Sequence, residues 1–463
     1  MKHPNIIMVF PDQLQHDALH FRGKMPSITP NIDNFARESA VMENCMSNHP
    51  ICSPCRAMMF TGRYGIHTGV VGNCRTGTRE HGCYLKKNER CLTDVLRECG
   101  YDVGYIGKWH LDPPEETHLA FTEGFREDGK IWDSYTLPQR RHGINFWHGY
   151  GCCDQHLEPH YWHNEAKPDE VIRPGKWSVE HEADVAVDYI MNRGGVRDEE
   201  KPFMLFVANN PPHPPYDQVP AKYADLYRDK SPEELLASPC FNVGDAEKTD
   251  RIFPGNLSNG KAEQAVRYYL GALTGVDENF GRILRAIEDK GIYDDTIVIF
   301  TSDHGDLMGS HNMTGKGPWY RDSFNIPFIV RYPGRIAPSN PKTVMGAVDV
   351  MPTILSLAGL KSQIPAVAEG HDRSGCMLTG AEDEEADALY FCFGRYRARG
   401  LKTGKYTFVS LQNYADDEMT VLYDDENDYY QLEDISEKEP ETAALLRERL
   451  EKRLEEIGDN WRD

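Results

Sequence analysis

Asn5-Ile6-Ile7-Met8-Val9-Phe10-Pro11-Asp12-Gln13 opens the chain with an unbroken apolar run that ends on a carboxylate and an amide. The run falls far short of the ~20 apolar residues of a membrane span. Asp12 also cuts it off before it reaches the length of a secretion signal's apolar region. It reads as a strand buried on both faces, the pattern of a parallel sheet covered by helices. Similar short runs recur at 103–106, 203–207, 297–301 and 328–331, separated by helix-like stretches such as 91–99, 178–191 and 263–290. Strands alternating with helices predict a large, mostly parallel α/β sheet sandwiched by helices. Beyond about residue 375 the pattern changes. Residues 390–396, 406–411 and 421–423 alternate like antiparallel strands. Leu446, Leu450, Leu454 and Ile457 line one face of a last helix, with Gly458 as its stop. The expected organisation is a large α/β domain over 1–374 and a smaller C-terminal α+β domain over 375–463.

The charge balance narrows the partners. Lys and Arg number 51 against 73 Asp and Glu, a formal net charge of −22. Such a field opposes non-specific binding to nucleic acid or to an anionic membrane. An anionic substrate needs a local basic pocket working against it. The twelve cysteines show no short repeating disulfide framework. In a chain of 463 residues they favour a reducing compartment, and a cytoplasmic location is expected. A homo-oligomer is compatible with the sequence.

In open α/β sheets ligand sites gather at the carboxyl ends of strands. One strand ends in Asp12-Gln13 and a later one in Asp303-His304. Two carboxylates, an amide and an imidazole make a cation site; the same carboxylates could equally cap the helices that follow. A second string, Cys52-Ser53-Pro54-Cys55-Arg56, precedes Thr61-Gly62-Arg63. Its Cys-x-x-Cys alone suggests a thiol–disulfide oxidoreductase. Zinc is weaker, because no second Cys-x-x-Cys completes a four-thiolate site.

The extended string resembles the signature of the type I, formylglycine-dependent sulfatases of the alkaline phosphatase superfamily. Gly107-Lys108-Trp109-His110 and Thr301-Ser302-Asp303-His304-Gly305 are similar to further family segments. So are Pro212-His213 and Gly315-Lys316, the latter followed by Tyr320, Ser323 and Pro327. Residues 348–353 and Leu422-Tyr423-Asp424 recur as structural markers, so the resemblance spans roughly residues 5 to 432 in family order.

What the resemblance implies is specific. A maturation enzyme oxidises Cys52 to formylglycine, whose hydrate attacks sulfur and then collapses to expel sulfate. An ordinary serine would be trapped as a stable ester. Asp12, Gln13, Asp303, His304 and modified Cys52 hold one divalent metal. Arg56 stabilises the diol and its carboxylate neighbours, and Lys108 and Lys316 grip the sulfate oxygens. His110 hydrogen-bonds the diol and is the candidate base for collapse. His213 is the candidate general acid at the leaving oxygen, shared with Lys316. The Asp-Gln plus Asp-His combination is similar to choline-sulfatase-like and phosphonate monoester hydrolase-like members. One carboxylate fewer shifts the balance toward manganese or magnesium, yet calcium stays the first expectation on family frequency. Cys55, where Ser or Ala is common in the family, receives no role.

The expected substrate is a sulfated small molecule, a sulfated carbohydrate first. Asn73 and Arg75, with Arg79 behind them, follow Cys52 and are the expected contacts to the leaving group, with a solvated loop as the equal alternative. Residues 142–163 hold His142, Trp147, His148, Cys152, Cys153, His156, His160, Trp162 and His163. They are expected to form an aromatic rim for a sugar or a quaternary ammonium group, with zinc binding the weaker alternative. Two other readings stay open. One is hydrolysis of phosphonate monoesters or phosphodiesters on the same machinery; the other is a non-catalytic sulfated-glycan binder if Cys52 stays a thiol.

Overall fold

The opening apolar run is strand β1 (Asn5–Val9), buried at every residue. A computed structural model describes residues 3–112, 114, 131–235, 238–240, 259–393, 397–412 and 418–462. The strands that follow are β2 (Ala40–Val41), β3 (Cys45–Met46), β4 (Asp102–Lys108), β5 (Phe146–Tyr150), β6 (Trp162–His163), β7 (Phe203–Ala208), β8 (Thr296–Thr301), β9 (Phe328–Arg331) and β10 (Met345–Gly346). Eight of them form one sheet in the order β2-β9-β8-β1-β7-β4-β5-β6, while β3 pairs with β10. The inner strands β8, β1, β7, β4 and β5 are parallel to one another. The edges are not: β9 runs antiparallel to β8, β2 to β9 and β6 to β5.

Period-two alternation sends successive residues of each strand to opposite faces. Ile6, Met8 and Phe10 enter one core, shared with the helices Cys52–Thr61, Leu92–Glu98 and Val350–Leu357. Ile7 and Val9 enter the other, shared with Pro30–Arg37, Ser178–Ile190 and Asn259–Asp289. The last of these places Val266, Leu270, Leu273, Val276, Phe280, Ile283 and Ile287 on its buried stripe, a helical spacing of three and four. No described helix is long and apolar enough to cross a membrane.

Beyond the main sheet, β11 (Ala388–Phe393), β12 (Arg397–Lys402), β13 (Tyr406–Gln412) and β14 (Glu418–Asp424) form an antiparallel sheet in sequential order. Residues 394–396, assigned to the first of these strands from sequence, lie outside the described residues. The helix Pro440–Glu456 buries Leu446, Leu450 and Leu454, and Gly458 beyond it takes a left-handed φ of 67°. Those leucines share a core with the helix Cys52–Thr61 and with Leu401, Phe408 and Leu422.

Segment 142–163 departs from its sequence reading. It supplies β5, a strand inside the sheet, and most of its rings are core rather than rim. Trp147 stacks on Tyr105 with centroids 5.4 Å apart, and Trp162 and His160 are at most 1% exposed. Its aromatic and histidine content hid a buried strand, because Tyr105 of β4 and Trp109 just beyond it meet Trp147 only in the folded chain.

Candidate active site at the strand ends

The carboxyl ends of β1 and β8 are stitched together. Ser302 Oγ donates to Pro11 O (2.9 Å) and accepts from the Leu14 N–H (3.0 Å). The Gln13 backbone, at a φ of 65°, turns its N–H onto Asp303 Oδ1 at 3.1 Å. Two motif glycines are required by close approach. A Cβ on Gly107 would lie 2.3 Å from Ala208 O, and one on Gly305 would lie 2.0 Å from Asp322 O. No side chain fits at either place.

Cys52 is the first residue of a helix whose ten residues are all buried. Its start is pinned by Ser53, which donates Oγ–H to His110 O (2.6 Å) and its backbone N–H to Asn73 Oδ1 (3.1 Å). Around the thiol stand His304 Nε2 at 3.2 Å, Lys316 Nζ at 3.2 Å, Asp12 Oδ1 at 3.7 Å and Lys108 Nζ at 4.0 Å. Arg56, fully buried, forks between both carboxylates: Nε donates to Asp303 Oδ2 (2.9 Å), Nη2 to Asp12 Oδ2 (3.0 Å) and Nη1 to Lys108 O (2.6 Å). Lys108 Nζ lies 2.7 Å from Asp12 Oδ2 and donates to Asn210 Oδ1 at 3.0 Å.

The electrostatics follow from this interlock. Burial works against charge on Cys52, yet Lys108, Lys316 and His304 outweigh it and hold the thiol well below its usual range. Burial likewise opposes charge on Asp12, and Lys108, His213 and Arg56 hold it low in spite of that and of Cys52. Asp303 is pushed up, by burial and then by Asp12. Burial drives His110 down to about 4; its Nε2 faces Cys74 O at 3.2 Å, while the buried Nδ1 has no hydrogen-bond partner.

The structure brings together most residues singled out from sequence. Ligand atoms of Asp12, Cys52, Asp303 and His304 all lie within 4.8 Å of one another, a hard-and-imidazole donor set that fits a divalent cation. The Gln13 side chain joins them indirectly: Oε1 accepts from Lys316 Nζ (2.6 Å) and Nε2 donates to Asp306. His213 lies on the Asn210 side, its N–H bonded to Asn210 O at 3.0 Å. Asn73 spends its side-chain oxygen on the Ser53 N–H, in the first turn of the helix Cys52–Thr61. Arg75 stacks over Trp132 at 5.3 Å, and that ring is 6.0 Å from the His110 ring. Arg79 is exposed. Sequence reasoning missed Asn210, Ser302 and Asp306, which hold Lys108, the two strand ends and Gln13. Asn210 follows the end of β7, so the strand-end rule could have found it.

The fold and this cradle define a class. Residues 4–360 match the family model described as sulfatase, and residues 309–460 match N-sulphoglucosamine sulphohydrolase, C-terminal. The chain belongs to the sulfatase family and is a sulfate ester hydrolase. Among particular relatives, it is 36% identical to the endo-4-O-sulfatase of Bacteroides thetaiotaomicron over 99% of this chain and 93% of that protein. It is 28% identical to the ulvan-active sulfatase of Formosa agariphila, covering 99% of this chain and 82% of that one. The crystal structure of Bacteroides fragilis yidJ superposes with a TM-score of 0.92 at 34% identity, covering 99% and 97% of the two chains.

Proposed function

We propose that this chain removes sulfate from a sulfated carbohydrate, with formylglycine made from Cys52 by a maturation enzyme and with one divalent cation. The carrying observation is that Lys108, Lys316 and His304 converge on Cys52 while Arg56 takes the adjoining carboxylates. Asp12, Asp303 and His304 would hold the cation, calcium first, with Gln13 beside them. When bound, such an ion offsets charge on the sulfate oxygens and acidifies the attacking hydroxyl. Lys108 and Lys316, whose Nζ atoms lie 4.0 and 3.2 Å from Cys52 Sγ, bind the remaining sulfate oxygens. His110 Nδ1, buried and without a partner, accepts the proton of the residue-52 hydroxyl. His213 donates a proton to the leaving sugar oxygen. Relatives named endo-4-O-sulfatase and ulvan-active sulfatase support a saccharide substrate. The division of the chain at 374/375 belongs to the same reading, with the site wholly in the first part.

The test combines peptide mass and turnover. In active protein the peptide containing residue 52 should be lighter than its encoded form by the difference between a thiol and an aldehyde. Cys52→Ala should release no sulfate from sulfated saccharides or from 4-nitrophenyl sulfate. A plain thiol in fully active protein overturns the mechanism.

A further inference from the structure

The segment after β5 carries Asp154 and His156 toward His213, and ligand atoms of the three lie within 4.8 Å of one another. His156 is 2% exposed and His213 7%. His213 Nδ1 faces Pro214 O at 2.6 Å, with Asp154 Oδ1 3.7 Å from the same nitrogen. A carbonyl only accepts, so Nδ1 carries the hydrogen and the neutral ring keeps its lone pair on Nε2. Metal-bound imidazoles are oriented in this way. His156 is also a neutral ligand: Asn210 Oδ1 receives Lys108, so Asn210 Nδ2 donates to His156 Nε2 at 3.0 Å. Burial pushes that imidazole down to about 3. Two neutral imidazoles and one carboxylate, with a fourth position open, is a zinc donor set. Calcium and magnesium want six or more oxygens and fit it poorly.

We propose that Asp154, His156 and His213 form a second cation site, for zinc or a similar transition ion, separate from the Asp12–Asp303–His304 centre, and that its occupancy inhibits the enzyme. Bonds of ~2.0–2.2 Å place tetrahedral donors ~3.4 Å apart, inside the 4.8 Å that bounds the present spacing, so the three side chains draw together on binding and His213 turns Nε2 toward the other two. The bound ion takes the His213 lone pair that would carry the donated proton. It also displaces the Asn210 amide from His156, loosening the residue that holds Lys108. The leaving-group dependence of the inhibition rests on His213 acting as proton donor; the binding does not.

Calorimetric titration of Zn2+ into calcium-saturated protein, compared with Asp154→Asn/His156→Gln, tests the site. Wild type should take up one ion that the double variant binds at least ~30-fold more weakly, about 2 kcal/mol, with an unchanged melting temperature. Equal zinc affinity in the two proteins overturns the site, as does no uptake by wild type. Should the double variant misfold, the Co2+ spectrum of wild type decides: an intense tetrahedral band at one equivalent supports the site, and a weak octahedral one overturns it. Zinc should slow saccharide desulfation at least ~10-fold more than 4-nitrophenyl sulfate turnover, because nitrophenolate leaves without a proton. Equal slowing with intact binding keeps the site and removes His213 from the proton-donor role.

Discussion

Two groups of polar side chains are buried within one sheet, and burial treats them in opposite ways. At the strand ends Asp12, Arg56, Lys108 and Asp303 are all fully buried, each touching an opposite charge. At the β5–β6 edge, His148 is 4% exposed and sits between His163 (Nδ1–Nδ1 3.3 Å) and His181 (Nε2–Nε2 2.9 Å). Tyr161 stacks on His148 at 4.6 Å. None of these close contacts brings a counter-charge, and burial pushes all three imidazoles down, His148 well below its usual range. Interlocked unlike charges stay charged in a dry interior; imidazoles facing one another stay neutral.

The comparison can be broken at either end. Asp303→Ala should lower kcat/KM by at least ~1,000-fold, beyond the loss of a single preorganised donor, since it strips both a cation ligand and an Arg56 partner. Arg56→Ala should destabilise the fold by about 3–5 kcal/mol in denaturant titrations, because it leaves two buried carboxylates short of compensation. A change below about 1 kcal/mol would mean the cradle is wetter than its burial implies. Lys108→Ala and Lys316→Ala should each cost ~100-fold in kcat/KM.

The histidine edge yields a smaller, pH-dependent effect. Its imidazoles have lowered folded values, so their contribution is fully present above about pH 6.5, the unfolded histidine value. It is lost as pH falls toward the folded values, by at most about 1.4 kcal/mol for each imidazole as the pH drops by one. The decline in melting temperature from pH 7 to 5 should therefore be shallower in His148→Phe than in wild type. Parallel slopes would show that the edge does not titrate. Smallest of all, Cys55→Ser should keep turnover within ~3-fold: Cys55 is buried among apolar side chains, and burial pushes its thiol well above the usual range.

Legibility from sequence divides along the same line. The strands β1, β4, β7 and β8 are readable because a short run of apolar residues admits few other fates. Of the cradle, Asp12, Lys108, Asp303 and His304 stand at strand ends, while Arg56 on its helix and Lys316 on a loop are readable only through the family resemblance. β5 is not readable, because Phe146-Trp147-His148-Gly149-Tyr150 looks like binding-site chemistry and only its place beside β4, with Tyr105 stacked on Trp147, makes it core. The antiparallel edges are hidden too, since an apolar run carries no sign of direction. Asn73 reads from sequence as a substrate contact, whereas its bond to Ser53 comes from the chain folding back on itself across twenty residues. Contacts of that kind depend on tertiary closure and leave no local pattern.

The shared core has a consequence in time. Cys52 is 2% exposed, and the core around its helix is completed by Leu446, Leu450, Leu454 and Trp461. During synthesis those last contributors emerge long after residue 52, by tens of seconds at ~5–20 residues per second. While that interval lasts, the core that the helix Cys52–Thr61 shares with these residues is incomplete.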